Sequence, residues 1–225
     1  MKVIARIRNE YTEKFGVPRQ AGIVDETESL IVFEPEFRSP DAIRGIEEFT
    51  YLWLIWEFSE NKDKKTGLTV RPPKLGGNKR VGVFASRSPY RPNPIGLSSV
   101  KLLGTVKTAN EGIALRVAGA DLMNGTPIYD IKPYVAYADC HPDAGDGFGT
   151  DGSTARCEVE IPGEIEKELG TDAPAVKSIL SQDPRPGYSA DPDRIHGMTY
   201  GAFNIRFRAA GGRITVIEAQ KLSDK

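Results

Sequence analysis

The first 140 residues are broken into short runs of β-branched and aromatic residues, and this pattern limits the fold more than any other feature. Most of these runs are bounded by Gly, Pro or Asn, as the strands of antiparallel sheets are. They are KVIARI (2–7), SLIVFE (29–34), TYLWLIWEF (50–58), RVGVFA (80–85), GLSSVKLLGTVK (96–107), GIALRVAGA (112–120) and PIYDIKPYVAYA (127–138). Strands at this spacing predict a mainly β fold with a mostly antiparallel sheet or barrel, rather than alternating strands and helices.

Two local signals refine this pattern. The segment GTVKTANEGIALRV (104–117) predicts a hairpin that turns near Asn110 to Gly112. Ser39 and Pro40 suit an N-cap and a first helical position, so one short helix is predicted over DAIRGIEEF (41–49).

The second part of the chain has a different composition. Residues 141–155 are polar and rich in glycine, which is typical of a linker or a long loop. Two helical stretches, GEIEKELG and APAVKSILSQ, precede a hairpin that turns at Gly211-Gly212. We therefore predict a barrel domain at 1–142, a linker at 143–157 and a small α+β domain at 158–225.

Several classes of protein are disfavoured by what the sequence lacks. No run of about 18 apolar residues is present, so no membrane span is expected. The N-terminus lacks the apolar stretch of a secretory signal. Cys140 and Cys157 form no disulfide framework, which fits a reducing cytoplasm. With His141 they offer three metal ligands at most and no CxxC pair, so no metal site is expected.

The charge of the chain is unevenly distributed. The net charge is −1, yet residues 62–101 contain ten basic residues and one acid, Asp63. That segment carries +9 and the rest of the chain −10. Separation on this scale predicts a polyanionic partner, most simply a nucleic acid. The predicted RNA contacts in this segment include Lys74, Lys79 and Arg80.

The segment GVFASRSPYRPNPIGLSSVKL (82–102) combines basic residues with proline. Arg87 and Arg91 offer planar donor forks that match a carboxylate or a phosphate. Pro92 and Pro94 fix φ on both sides of Asn93, so its amide has little conformational entropy left to lose. The GxSxG elbow, the P-loop pattern and the GxGxxG fingerprint are absent from the sequence. The residues alone therefore indicate a β fold that binds an anion, and they do not specify a reaction.

The same region, extended to RVGVFASRSPYRPNPIGLSSVKL (80–102), closely resembles the signature of the TsaA-like family. Four further blocks resemble that family in the same order: FGVPRQAGIV (15–24), RPPKLGGNKR (71–80), ADLMNGTPIYDIKPYVAYAD (120–139) and SQDPRPGY (181–188). The last block is typical of the longer bacterial type, which methylates N6 of threonylcarbamoyladenosine at position 37 of tRNA, next to the anticodon. The resemblance implies a homodimeric, single-sheeted β-barrel that uses S-adenosylmethionine and binds the anticodon stem-loop, with a C-terminal domain that helps to hold tRNA.

The resemblance also implies a cofactor pocket. Carried over residue by residue, the pocket consists of Pro18, Arg19, Gln20, Ser59, Glu60, Arg87, Leu97, Asp121, Leu122, Met123 and Asn124. An arginine suits the methionine carboxylate, Leu97 suits an adenine face, and the 121–124 turn can offer backbone groups to the base edge. Relatives carry histidine where this chain has Tyr51 and Ser59, so a histidine's role is absent here or passes to Tyr51, and backbone contacts are expected at Ser59.

A candidate catalytic set combines the two regions. Asp130, Lys132 and Tyr134 are predicted to share one face of a strand. An acid, a base and a phenol on one face are costly in a core, which favours a site over a salt bridge at the barrel rim. Asp130 is the candidate base for the N6 proton, and Lys132 or Arg91 could hold the threonyl carboxylate. Asn93 completes the set.

Aromatic and basic residues are predicted to contact the RNA. Tyr90 or Tyr134 could stack on a splayed base. The proline-rich run DPRPGYSADPDR (183–194) offers Arg185, Tyr188 and Arg194, unless it is a rigid loop that packs the small domain against the barrel. Two other functions stay open: a non-catalytic RNA-binding barrel and a methyltransferase of the same fold with another substrate.

Overall fold

Six antiparallel strands pair in a ring in the first part of the chain. The computed structural model describes residues 1–61, 66–72, 75, 78–149, 156–185 and 191–222. In chain order its first strands are β1 (Ala5–Arg8), β2 (Glu28–Phe33), β3 (Tyr51–Glu57), β4 (Thr69–Val70), β5 (Val81–Gly82), β6 (Ile95–Thr108), β7 (Gly112–Ala118) and β8 (Pro127–Pro133). The pairing order is β1–β2–β7–β6–β3–β8, and β8 pairs back to β1, which closes the sheet. The prediction of a mainly β fold with an antiparallel sheet is confirmed.

Alternation of apolar residues explains why this sheet encloses a core. On β3, Leu52, Leu54 and Trp56 point inward and are buried, while the residues between them are more exposed. Successive side chains of a strand point to opposite faces, so one face of each strand fills the interior. The interior cluster also includes Ile7, Leu115 and other residues of the ring.

The predicted hairpin between β6 and β7 is confirmed, with its turn between Thr108 and Gly112. The 14 residues of β6 also contain a register shift between Leu102 and Gly104. Gly104 has a φ of 132°, which an L side chain rarely adopts. A bulge of this kind bends a strand, and here it lets β6 follow the closed sheet.

Three local predictions were wrong in detail. The predicted helix at 41–49 is two short 3₁₀ turns, Pro40–Ile43 and Ile46–Glu48, because Gly45 lies between them with a φ of 84°. Ser39 does cap the first turn, since its side chain accepts a hydrogen bond from the Asp41 amide. RVGVFA is the two-residue β5 followed by the 3₁₀ turn Val83–Ala85, and the run after β8 forms the short helix α1 (Ala136–Asp139). The described residues also form the 3₁₀ turns Pro35–Phe37, Ser59–Asn61, Gly147–Gly149 and Gly170–Asp172.

The C-terminal part is a second α+β unit. It consists of β9 (Glu158–Glu160), α2 (Gly163–Leu169), α3 (Ala173–Ser181), β10 (His196–Tyr200), β11 (Phe203–Ala210) and β12 (Arg213–Lys221). Its sheet has the order β10–β11–β12–β9, with β9 parallel to β12. Gly211 and Gly212 both have positive φ and form the predicted hairpin turn. None of the helices in the described ranges has the length and apolarity needed to cross a bilayer.

The core of this second unit takes residues from both ends of the chain. Tyr11 and Val24, which precede β2, are buried in one cluster with Ile179, Ile205 and Phe207. Tyr11 stacks edge-on against Tyr200, with ring centroids 5.6 Å apart. The boundaries at 142 and 157 therefore stay a prediction, since this core is built from both sides of them.

Candidate functional site

A cleft of about 890 Å³ lies against β3 and β6. This volume is within the range of small-molecule sites in proteins. One side, here called the strand wall, consists of Trp53 and Trp56 of β3 with Gly96, Leu97 and Ser98 of β6. The opposite side, here called the loop wall, consists of cleft-lining residues of the 17–21 and 86–93 loops. The cleft has therefore one rigid sheet surface and one surface made of loops.

The strand wall depends on a glycine. Trp56 and Gly96 are direct partners on neighbouring strands. A Cβ atom at Gly96 would lie 2.2 Å from Cε2 of Trp56, so the indole occupies the space of the missing side chain. Trp56 is 6% exposed in consequence.

A hydrogen-bonded chain continues from Trp56 into the cleft. Trp56 Nε1 donates to Ser98 Oγ at 2.9 Å, and that hydroxyl donates to Asp121 Oδ1 at 2.5 Å. Burial raises the pKa of Asp121, and the hydrogen bond from Ser98 partly offsets this effect. These two hydrogen bonds fix the orientation of the Asp121 carboxyl group at the cleft, because both Trp56 and Ser98 belong to the strand wall.

The arginine segment of the loop wall is held by its own hydrogen bonds. Ser86 Oγ donates to the Val83 carbonyl at 2.9 Å, and Arg91 Nη1 donates to the Ser86 carbonyl at 3.0 Å. Arg87 Nη1 donates to Oε1 of Gln20. The last contact joins the arginine segment to the 17–21 loop.

The 17–21 loop is in turn held by the C-terminal unit. Arg19 Nη2 donates to the carbonyls of Asp183 and Arg185, at 2.9 and 3.3 Å. Asp183 has a φ of 47°, and its carboxylate receives two hydrogen bonds from the guanidinium of Arg185, at 2.7 and 2.8 Å. Gly16, with a φ of 96°, packs so closely on Met198 that a Cβ would lie 2.6 Å from its sulfur. A second tether joins Arg156 Nη2 to the Ile23 carbonyl at 3.1 Å.

Most of the predicted cofactor residues converge on the cleft. The residues that line it are Pro18, Arg19, Gln20, Ser59, Glu60, Arg87, Leu97, Asp121 and Met123. Leu122 does not, because its side chain is buried in the core of the closed sheet. Asn124 does not line the cleft either. Its side-chain Oδ1 accepts a hydrogen bond from the backbone N–H of Asn9, and its own backbone N–H donates to the Tyr11 carbonyl.

The predicted catalytic set is divided. Arg91 and Asn93 line the cleft, whereas Asp130, Lys132 and Tyr134 lie outside it on β8 and just after it. Lys132 Nζ lies 3.5 Å from Asp130 Oδ2, in a partly exposed ion pair. The ring of Tyr134 packs on Tyr51 and Trp53, at centroid distances of 6.2 and 5.5 Å.

The predicted RNA contacts are also divided. Lys79, Arg80, Tyr90 and Arg194 are exposed, and Arg80 Nε donates to Thr69 Oγ1 at 2.9 Å. Arg185 is instead engaged within the protein, because its guanidinium binds Asp183 and the Ala209 carbonyl and its side chain is only 17% exposed. Lys74 and Tyr188 lie outside the described residues.

Several cleft residues were missed by the sequence analysis, notably Trp53, Trp56, Glu57 and Ser98. For the three residues of β3, the signal was the strict alternation of TYLWLIWEF, which places Trp53 and Trp56 on opposite faces of one strand. Burial raises the pKa of Tyr129 to about 12, and the hydrogen bond with Glu57 contributes to this rise. The Glu57 carboxylate at the cleft therefore has Tyr129 as a hydrogen-bond partner.

Comparison with known proteins gives a consistent result. Residues 6–140 match the tRNA-methyltransferase O N-terminal domain, and residues 154–222 match the TrmO C-terminal domain. The chain is 38% identical to the tRNA (adenine(37)-N6)-methyltransferase of Escherichia coli over 96% of both chains. It is 37% identical to the enzyme of that name from Eikenella corrodens, covering 76% of this chain and 96% of that one. A crystal structure of TrmO from Pseudomonas aeruginosa superimposes with a TM-score of 0.77, at 30% identity, covering 98% of this chain and 97% of that one.

The matched regions contain the residues on both walls of the cleft, and they extend through the C-terminal unit that holds the 17–21 loop. The chain belongs to the TrmO family of S-adenosylmethionine-dependent tRNA (adenine-N6)-methyltransferases.

Proposed function

We propose that the protein transfers a methyl group to N6 of threonylcarbamoyladenosine at position 37 of tRNA. The observation that carries this proposal is the convergence of the predicted cofactor residues in one cleft, beside Arg91 and Asn93. The relative from E. coli is named for methylation of adenine 37. The Arg91 guanidinium at the cleft suits a substrate whose modified base carries a carboxylate.

The donors and acceptors of the cleft fit S-adenosylmethionine. Arg87 is exposed and can form a charge-assisted pair with the methionine carboxylate. Leu97 is 59% exposed, which is unusual for a leucine and leaves an apolar surface for the adenine ring. The Asp121 carboxylate and Oδ1 of Asn61, which is buried without a partner among the described residues, can accept hydrogen bonds from amino or hydroxyl groups.

When bound, S-adenosylmethionine supplies an activated methyl group on a sulfonium sulfur. The protein's part is to align N6 with that group and to exclude water. Asp130, Ile55 and Leu97 form one row across β8, β3 and β6, so Asp130 lies two strands, or roughly 10 Å, from Leu97. In this arrangement Asp130 accepts the N6 proton of a base lying between them, and Lys132 or Arg91 holds the threonyl carboxylate.

We further propose that the enzyme works as a homodimer in the cytoplasm and holds the anticodon stem-loop of tRNA. Lys79, Arg80 and Tyr90 are exposed on the basic segment that follows β3, beside the cleft-lining residues Arg87 and Arg91. An exposed apolar side chain at the cleft, Phe84 at 78%, suits an interface with a second copy.

The proposal is tested with purified protein, S-adenosylmethionine and two tRNA preparations that differ only in the threonylcarbamoyl group at position 37. Nucleosides are then analysed by mass spectrometry. We expect a product one methyl group heavier than threonylcarbamoyladenosine, and no product from unmodified tRNA. Equal methylation of both preparations would show that another adenine substrate is used.

A further inference from the structure

Trp53 occupies an unusual position for a tryptophan of a β-strand. It points outward from the closed sheet, between Ser99 of β6 and Lys132 of β8, and is only partly buried. Trp53 is nevertheless one of the residues that line the cleft. Trp56, three residues later on the same strand, is buried in the core of the sheet. An apolar ring at the cleft surface is available to a ligand.

The indole of Trp53 is fixed in orientation. Its Nε1 donates to Asp139 Oδ2 at 3.0 Å, and the same oxygen accepts the Val135 amide at 2.8 Å. These two hydrogen bonds lower the pKa of Asp139, so its carboxylate stays charged at neutral pH. Tyr134 supports the ring from the side, at 5.5 Å between centroids and 43° between planes.

Trp53 is also close to the proposed position of the cofactor. Leu97 pairs with Ile55, so Leu97 and Trp53 are diagonal neighbours on the outward face of β3 and β6. Such neighbours lie about 7–8 Å apart. A planar group on Trp53 would therefore lie beside a methyl donor bound at Leu97.

The outward face around Trp53 carries side chains of both charges, including the ion pair of Lys132 with Asp130. Lys132 is the partner of Trp53 on β8, and Lys101 is the partner of Tyr51 on β6, within the same exposed face. Unstacked bases of RNA loops commonly stack on aromatic side chains of proteins. Asp139 turns its carboxylate to the ring nitrogen and the backbone of its own loop.

We propose that Trp53 is the stacking platform for the target adenine, and that Asp139 is the positioning residue that holds its ring. This inference rests on the proposed function, because it places the base to be methylated next to the proposed cofactor site. The outward ring then holds the base while the opposite loop wall holds the cofactor carboxylate.

The test compares Trp53→Leu, Trp53→Phe and Asp139→Ala, with Tyr137→Leu as a control. Tyr137 is an aromatic residue of α1, 94% exposed, that does not line the cleft. Binding of a modified anticodon stem-loop and of S-adenosylmethionine is measured separately by calorimetry, and circular dichroism verifies folding. Loss of one base–aromatic stack predicts roughly 5- to 150-fold weaker stem-loop binding in Trp53→Leu. We expect partial rescue in Trp53→Phe, an intermediate loss in Asp139→Ala, and wild-type behaviour in the control.

Fluorescence provides a readout that a structural role would not change. The chain has two tryptophans, Trp53 and Trp56. Stem-loop binding should quench the wild-type emission, and Trp53→Phe should still bind but lose most of the quenching.

Three outcomes would overturn the inference. The first is an unchanged stem-loop affinity in Trp53→Leu. The second is a loss of cofactor affinity in this variant as large as its loss of stem-loop affinity. The third is a change of its oligomeric state in sedimentation, which would make this face an interface between copies. Failure of the proposed function alone would look different. Quenching by an adenine-containing stem-loop would persist while methylation required another base or modification.

Discussion

The two walls of the cleft are held in place by different means. In the strand wall, Trp56, Gly96 and Ser98 lie on strands that are paired on both sides within a closed sheet. In the loop wall, Arg19 and Gln20 depend on side-chain hydrogen bonds to the C-terminal unit and to Arg87. A wall built on paired strands is fixed by the fold, whereas the loop wall is fixed by a few individual contacts.

This difference predicts how each wall responds to substitution. A change at a buried residue of the strand wall, such as Trp56, Gly96 or Ser98, disturbs the core and the cleft together, since these residues serve both. A change in the loop wall should alter ligand binding with little effect on the folding of the closed sheet. Substitutions in the two walls can therefore be ranked by effect.

The largest effect is expected for Gly96→Val. The new side chain would occupy the space of the Trp56 indole and displace the hydrogen bond to Ser98. We expect a loss of about 1–3 kcal/mol in the free energy of unfolding, typical of overpacking, and no measurable cofactor binding. Denaturant titration and calorimetry measure the two quantities.

Gly82→Ala is the matched control for this substitution. A Cβ at Gly82 would meet no atom within 4 Å, and its φ of −58° suits alanine. Wild-type cofactor affinity in Gly96→Val would show that the strand wall does not shape the cleft.

Arg87→Ala is expected to have the next largest effect. If the guanidinium pairs with the methionine carboxylate, its loss should weaken S-adenosylmethionine binding by about 1.5–3 kcal/mol, the strength of a charge-assisted hydrogen bond. Calorimetry on the folded variant measures it. Arg80→Ala removes the same charge outside the cleft and should leave cofactor affinity unchanged. Equal S-adenosylmethionine affinities of the two variants would show that Arg87 does not bind the cofactor.

A smaller effect is expected for Arg19→Ala, which frees the 17–21 loop from the C-terminal unit. Loss of its hydrogen bonds to two carbonyls should weaken cofactor binding by about tenfold. Arg156→Ala cuts the neighbouring tether to Ile23, which is outside the cleft, and serves as the control. Identical cofactor affinities in both variants would mean that the loop wall keeps its shape without Arg19.

The smallest effect concerns pH. Burial alone would raise the pKa of Asp183, but the hydrogen bonds and charge of Arg185 outweigh it and lower the pKa. A depressed pKa stabilises the folded state above the pKa of the unfolded chain, and this contribution disappears as pH falls through the folded-state pKa. Asp183→Asn should therefore be less stable than the wild type by under about 1 kcal/mol at neutral pH, and the difference should vanish in strong acid. A constant difference across this range would exclude a contribution from the charge.

The same comparison explains what the sequence could predict. Pro18 to Gln20 and Arg87 of the loop wall were named in advance through the family resemblance of their blocks, and all four line the cleft. In the strand wall, only Leu97 was named in advance as a cofactor contact. The partnership of Trp56 with Gly96 depends on the register of β3 against β6, which residue types do not reveal.

Two further differences have physical causes that local patterns do not contain. Arg185 lies in a proline-rich run that suits RNA binding, yet its guanidinium is satisfied by Asp183, because the backbone turns sharply at that residue. The predicted helix at 41–49 was divided by the left-handed conformation of Gly45. In both cases one backbone conformation outweighed the composition of the segment.

The placement of Tyr11 and Val24 in the C-terminal core has a consequence for biosynthesis. Both residues are synthesised before most of the closed sheet, but their buried partners extend to Ala219 of β12. All strands of the closed sheet are synthesised by Pro133, well before those partners. The nascent protein can therefore complete its closed sheet early, while Tyr11 and Val24, on either side of the 17–21 loop, stay uncovered until β12 has been synthesised. We expect that a ribosome-bound chain has no functional methyl-donor site until its last strand has been released.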